Sequence, residues 1–161
     1  MELHGYKCFN KDLTNRYGMK FEVGKEYKVS GDIEFGVDGN GFHMCENIED
    51  TFRYFDAMND EVKVCFVKGS GEIIECADDY YEYYGLYSVE KLEIIKLLSR
   101  NDIINLGLNM GDERVKRFLS LFKLEDEEKN LFINKYIKCR DILDTISYYQ
   151  DNDVKTYTKK K

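Results

Sequence analysis

The chain begins with the alternation of apolar and polar side chains that is typical of β-strands, and it changes to helical periodicity near Ser99. In residues 3–9, Tyr6 and Cys8 alternate with Lys7 and Phe9, which is the two-residue period of a strand. Runs rich in β-branched and aromatic residues recur as far as Leu98. Strands are therefore predicted at residues 3–9, 19–23, 26–29, 33–35, 42–45, 62–68, 72–76 and 91–98. The glycines at 69 and 71 predict either a bulge or a strand break.

Residues 41–55 combine a glycine turn, a short strand and a helix start. Asn47 is a good N-cap residue, and two acidic side chains follow it in the first turn, where the helix dipole favours anions. Ile48, Phe52 and Phe55 then fall on one face of a helix that we expect to end near Met58.

Beyond Ser99 the apolar residues follow the period of a helix. We expect a short helix that stops at Gly107, and a second helix that begins at Asp112 and buries one apolar face (Val115, Phe118, Leu119, Phe122). A final helix carries a heptad-like stripe (Phe132, Tyr136, Cys139, Leu143, Ile146). A helical hairpin packed within the protein explains this stripe, and a short dimerising coiled coil is the alternative.

These patterns predict an α+β protein of two parts. Residues 1–98 form a mainly antiparallel sheet with one prominent helix, and residues 99–161 form an all-helical extension. The chain length is sufficient for a core without disulfides or metals. The sequence does not indicate an oligomeric state.

Charge and cysteine content restrict the function. The net charge of −7 disfavours nucleic-acid binding, which needs a basic face. The five cysteines are odd in number and form no Cys-x-x-Cys pair, so a disulfide framework or zinc ribbon is not indicated. No apolar run is long enough to span a membrane. We therefore expect a reduced, cytoplasmic protein without membrane association.

Three sequence blocks resemble a domain found at the N-terminus of phage and prophage proteins. They are Tyr-Lys-Cys-Phe-Asn-Lys-Asp-Leu at residues 6–13, Phe-Glu-Val-Gly-Lys-Glu-Tyr at residues 21–27, and Gly-Phe-His followed by Cys-Glu-Asn within residues 41–47. Cys8 and Ile48 stand where that domain has glycine and proline. The resemblance implies a phage or virus context and no particular activity.

The order of elements also resembles the ADP-ribosyltransferase fold. His4-Gly5 on the first strand, the glycine-led strand with His43, and Glu82-Tyr83 before the last strand are similar to the motifs of that family. The resemblance implies catalytic roles for His4, His43 and Glu82 in transfer of ADP-ribose from NAD, with His43 where the family has a stacking tyrosine. No other cofactor is expected.

The segment around residues 78–84 combines carboxylates with tyrosines, which give large contact areas with few rotatable bonds. It is either a partner-binding face or a solvated loop with some tyrosines buried. The predicted partner-binding residues are Asp78, Asp79, Tyr80, Tyr81, Tyr83 and Tyr84.

His43 and Cys45 point to one face of their predicted strand, with Glu46 beside them. This spacing would suit a metal site or a Cys45 nucleophile activated by His43, but a packed histidine is the ordinary explanation, and we predict no metal site. The function that we favour is a small phage- or virus-type protein that binds a protein partner, such as a component of host defence. The alternatives are an NAD-dependent mono-ADP-ribosyltransferase and a structural part of a phage particle.

Overall fold

The computed structural model describes residues 1–34, 39–76 and 85–151. Within these residues the protein is a mixed α/β structure with an antiparallel five-stranded sheet and five helices. The strands are β1 (Glu2–Asn10), β2 (Glu26–Lys28), β3 (Phe42–Cys45), β4 (Val62–Glu75) and β5 (Leu86–Leu97). The helices are α1 (Ile48–Thr51), α2 (Arg100–Leu108), α3 (Asp112–Leu121), α4 (Asp126–Lys135) and α5 (Arg140–Gln150). No helix in the described part is long and apolar enough to cross a membrane.

The chain divides into two compact units. The sheet unit comprises Met1–Phe55 and Glu61–Leu98, and the helical unit comprises Asp56–Asp60 and the chain from Ser99 onward. The short segment Asp56–Asp60 belongs to the helical unit, where the backbone N–H of Lys123 donates to the carbonyl oxygen of Ala57.

The strands of the sheet unit pair in the order β2-β5-β3-β1-β4, and β4 also pairs with β5. The pairing of β1, β4, β5 and β3 therefore closes into a ring. β1 runs along β4 from Glu2 to Asn10, and on its other side it meets β3 where Tyr6 pairs with Cys45. Gly5 allows this close approach, because a Cβ atom there would clash with the backbone oxygen of Cys45.

β4 is one continuous strand, so of the two predictions for residues 69–71 the bulge is confirmed and the break is not. The ladder with β5 passes through this segment with a register shift between Ser70 and Ile73. Gly71 absorbs the irregularity with a φ of +76°, a conformation that glycine adopts without steric cost. β5 is also longer than predicted and begins at Leu86.

The predicted strands at residues 19–23 and 33–35 are not formed in the described residues. Phe21 and Ile33 lie in loops, and their side chains are buried in the core. Near Phe21, an isolated β-bridge pairs Thr14 with Lys20. Phe35 lies outside the described residues. The core of this unit gathers apolar side chains from the strands around Phe21, namely Phe9, Phe42, Met44, Cys65, Val67, Val89, Leu92 and Ile94.

The helix after β3 is shorter than predicted. It ends at Thr51 and continues as one 3-10 turn, Phe52–Tyr54, before Phe55 becomes extended with a φ of −140°. Ile48 and Phe52 are buried as the pattern predicts. This short helix still matters, because its last turn places Tyr54 at the site described below.

In the helical unit, Ser99 and Asp102 form a capping box at the start of α2. The predicted apolar face of α3 is buried. The predicted single final helix is wrong, because the chain leaves helical geometry between Tyr136 and Cys139 and the stripe is divided between α4 and α5. The buried Gln150 side chain then bonds to the backbone of Leu119, Phe122 and Leu124.

Candidate functional site

A cavity of about 310 Å³ opens in the sheet unit. Its walls come from β1, β3, the loop at residues 15–19, the segment at residues 39–41 and the turn after α1. Such a volume lies at the lower end of the range for ligand pockets, roughly 300–1,000 Å³. The cavity is therefore large enough for a small ligand.

Lys7 supplies a cation at this cavity. Its side chain lies on the same face of β1 as Phe9, with Nζ 5.8 Å from the centre of that ring. Nζ donates a hydrogen bond of 2.7 Å to the backbone oxygen of His43. Burial, with a smaller effect from the nearby Arg16, lowers the pKa of Lys7 to about 8.

Arg16 supplies a second cation from the loop between β1 and β2. Asn15 shapes this loop, because its Oδ1 accepts hydrogen bonds from the backbone N–H groups of Tyr17 and Met19 at 2.9 Å each. The guanidinium of Arg16 lies 5.1 Å from the ring centre of Tyr54 and 5.6 Å from that of Tyr17. These cation–π contacts hold the charge at the cavity wall.

The lining is electropositive in an acidic protein. Among the residues that the structure describes, the lining includes Lys7 and Arg16 and no carboxylate. Within the same residues, neither cation has a carboxylate within ion-pair distance. With a net charge of −7 for the whole chain, this cavity is a local exception to the overall charge.

Aromatic rings form one side of the cavity. The rings of His43 and Tyr54 lie nearly parallel, with centres 6.2 Å apart and an interplanar angle of 15°. Burial raises the pKa of the Tyr54 hydroxyl, so the ring is neutral at ordinary pH. A planar ligand ring can stack at such a wall.

The cysteines at the cavity are poor nucleophiles. Burial raises the pKa of Cys45 to about 12, and it raises the pKa of Cys8 as well. Both thiols therefore stay protonated at neutral pH, which disfavours the Cys45 nucleophile that the sequence suggests. Across the described ranges, no group of three or more His, Cys, Asp or Glu residues is arranged to hold a metal ion.

The predicted catalytic residues are not all gathered at the cavity. His43 lines it, but His4 is exposed and stacks on Phe66, with ring centres 5.5 Å apart. Because Tyr6 pairs with Cys45, His43 lies level with Cys8, four residues along β1 from His4. This separation is about 13 Å at the rise of a strand.

The predicted partner-binding residues and Glu82 lie outside the described residues. Sequence reasoning missed Lys7, Arg16 and Tyr54 as site residues. The alternation of β1 contains a signal for Lys7, because it places Lys7 on the face of the buried Phe9. Arg16 has no such signal, since its position depends on the hydrogen bonds of its loop.

Comparison with known proteins gives one match. A family model described as Domain of unknown function (DUF7666) matches residues 3–105, which cover the whole of the described sheet unit from Leu3 onward and the start of α2. No curated protein and no solved structure matches the chain.

Proposed function

We propose that this chain, which belongs to the family described as Domain of unknown function (DUF7666), binds a small anionic ligand with a planar ring, of the nucleotide class. The ligand would occupy the cavity of the sheet unit. The observation that carries the proposal is the pair Lys7 and Arg16 in a lining whose described residues include no carboxylate.

Electrostatics supports an anion at this place. The partly buried Lys7 and the exposed Arg16 place two positive charges at the cavity, while the net charge of the whole chain is negative. An anion between Lys7 and Arg16 would gain charge-assisted hydrogen bonds, which are stronger than neutral ones. Arg16 is already held by the rings of Tyr17 and Tyr54, so little of its freedom is lost on binding.

The aromatic wall supports a ring in the same ligand. His43 and Tyr54 both line the cavity, and the guanidinium of Arg16 lies 5.1 Å from the ring centre of Tyr54. The cavity volume of about 310 Å³ suits a mononucleotide better than a complete dinucleotide. A phosphate near the cations with a base near the stacked rings would use both features.

Calorimetric titration tests this proposal. We expect ADP to bind more tightly than adenosine, which lacks the charge, and more tightly than pyrophosphate, which lacks the ring. Arg16→Met should weaken ADP binding at least 10-fold, while Lys11→Met, which removes an exposed lysine outside the cavity, should not. Equal affinity for ADP in both variants would overturn the proposal, as would no binding of any anion at millimolar concentration.

Transfer of ADP-ribose from NAD is a second proposal, on an ADP-ribosyltransferase-like fold. It is favoured by the position of His43, which lines the cavity and stacks with Tyr54. The test is release of nicotinamide from NAD, lost in both His43→Ala and Glu82→Gln. Turnover that persists in both variants would contradict the assignment of these residues.

Binding of a macromolecular partner in the cytoplasm of a phage- or virus-infected cell is a third proposal. It rests on the acidic charge and on the tyrosine–carboxylate segment in the sequence. Capture of one host protein by the native chain, lost when Tyr80, Tyr81, Tyr83 and Tyr84 become alanine, would support it. Stable self-assembly in light scattering would favour a structural part of a particle instead.

A further inference from the structure

We propose that Lys7 is a nucleophilic amine that forms a Schiff base with an anionic aldehyde or keto acid bound in the cavity. This inference rests on the proposed function, because the same site must first hold the anionic group. It names a reaction at that site and a second chemical class of ligand, the carbonyl compounds.

The position of the amine supports this reaction. Lys7 lines the cavity, and its strand is fixed on one side by β4 and meets β3 on the other. Nζ is held by the hydrogen bond to the backbone oxygen of His43. A neutral amine has two N–H groups, so one can make this bond while the lone pair faces a ligand.

The surroundings favour the reactive form of this amine over the other nucleophiles at the cavity. Burial and the neighbouring Arg16 disfavour the ammonium form, so a substantial part of Lys7 is neutral near pH 8. The same burial keeps Cys8 and Cys45 as protonated thiols. Arg16 cannot lose its proton under these conditions, so its role is to hold the anionic group of the ligand.

The reaction needs no oxidant or reductant. The lone pair of Nζ attacks the carbonyl carbon, a C–N bond forms, and the C=O π bond breaks as its electron pair moves to oxygen. A proton then passes from nitrogen to that oxygen to give a carbinolamine. The C–O bond then breaks as the electron pair on nitrogen forms the C=N bond. The remaining N–H proton leaves with the hydroxyl group as water, which gives the neutral imine. Water reverses the reaction and regenerates the amine.

Pyridoxal 5′-phosphate is a suitable probe, because it combines a planar ring, a phosphate and an aldehyde. After reduction with borohydride, we expect one stoichiometric adduct at Lys7 in the peptide map. The labelling rate should rise with pH through an inflection near 8. Lys7→Arg should lose at least nine-tenths of the labelling at this peptide position, while Lys11→Arg should leave the Lys7 adduct unchanged.

Pyridoxine 5′-phosphate separates binding from reaction, because it has the same ring and phosphate with an alcohol in place of the aldehyde. It should bind and should protect Lys7 from labelling. If it binds at the cavity but Lys7 is not labelled, the Schiff base is wrong and the anion site stands. If pyridoxine 5′-phosphate does not bind and labelling is scattered over surface lysines, both the Schiff base at Lys7 and the proposed anion site are wrong. Circular dichroism of Lys7→Arg and Lys7→Met verifies that each variant is folded.

Discussion

The side-chain amine of Lys7 donates a 2.7 Å hydrogen bond to the backbone carbonyl oxygen of His43. This bond joins β1 to β3 beside the point where Tyr6 pairs with Cys45. Its acceptor belongs to the main chain of His43, so the imidazole ring is not needed to hold Lys7. Changes to the His43 side chain therefore alter the aromatic wall and leave the position of the amine unchanged.

The burial of Lys7 makes the stability of the protein depend on pH. Its pKa falls from 10.5 to about 8 on folding, so between these values the unfolded chain binds more protons than the folded chain. The free energy of unfolding therefore rises with pH across this window, by up to about 3 kcal/mol for a lowering of this size. The buried Cys8 and Cys45 act in the opposite sense above about pH 8.5, because their thiols keep protons that the unfolded chain loses. The rise is therefore measured as the difference between the native chain and Lys7→Met, by urea unfolding at pH 7, 8 and 8.5.

Lys7→Met should remove that rise and should raise stability at pH 7, where the charged amine is otherwise buried. Lys11→Met is the matched control and should keep the rise, because Lys11 is exposed. If the pH profiles of the two variants coincide, Lys7 titrates as an ordinary surface lysine and its pKa is not lowered.

The stacked ring of Tyr54 should contribute to recognition of the ligand ring. Tyr54→Leu should weaken ADP binding by about 3- to 10-fold, the usual contribution of an aromatic stack. Pyrophosphate affinity should change less, since that ligand has no ring. Calorimetric titration of the native chain and Tyr54→Leu with each ligand gives the loss of affinity for ADP relative to that for pyrophosphate. Tyr148→Leu, at an exposed tyrosine of the helical unit, is the control and should leave both affinities unchanged. An equal loss of affinity for ADP and pyrophosphate in Tyr54→Leu would contradict the stacking role.

The parts of the fold that local pattern determines could be predicted from sequence. The apolar face of α3 is one case, because Val115, Phe118 and Leu119 follow the helical period and are all buried. The break between α4 and α5 could not be predicted, since Tyr136 to Cys139 contain neither Gly nor Pro. Gly69 and Gly71 indicate either a bulge or a break, and sequence alone could not choose between them. Pairing with β5 on both sides of a register shift makes this segment a bulge in a continuous strand.

The candidate site was less predictable, because it depends on contacts between residues distant in sequence. Lys7, Arg16 and Tyr54 meet only when β1, its following loop and the turn after α1 come together. Alternation in β1 indicates the direction of Lys7 but not what it faces. The histidines attract attention as residue types, yet only His43 lines the cavity.

Gly5 should tolerate no side chain, because an added Cβ would meet the backbone oxygen of Cys45, which cannot rotate away. Gly5→Ala should reduce the free energy of unfolding by about 1–3 kcal/mol, the usual cost of overpacking. Gly111→Ala is the control, since no atom lies within 4 Å of an added Cβ there. As Gly111 caps α3, its change should cost less than about 1 kcal/mol. Chemical denaturation compares the two, and equal losses would contradict the close approach of β1 and β3.

Gln150 should be important for the helical unit. Its Nε2 donates to the carbonyl oxygens of Leu119 at 2.5 Å and Phe122 at 2.8 Å, and its Oε1 accepts from the N–H of Leu124 at 2.9 Å. Gln150→Met keeps the size of the side chain but leaves these three buried backbone groups without their hydrogen-bond partner. The free energy of unfolding should fall by about 2–4 kcal/mol.

Thermal unfolding of Gln150→Met measures that loss. Tyr149→Leu, at the exposed neighbouring position, serves as the control and should shift the midpoint little. A midpoint equally unchanged in both variants would show that the three hydrogen bonds contribute nothing net.

The closed ring of β1, β4, β5 and β3 also has a kinetic consequence. β1 begins at Glu2, but its long partner β4 begins only at Val62, so the ring cannot close until widely separated segments have met. The helical unit forms mainly from neighbouring segments of the chain. Since non-local pairing slows folding, the sheet unit should fold later than the helical unit, and its cavity should be among the last features to form.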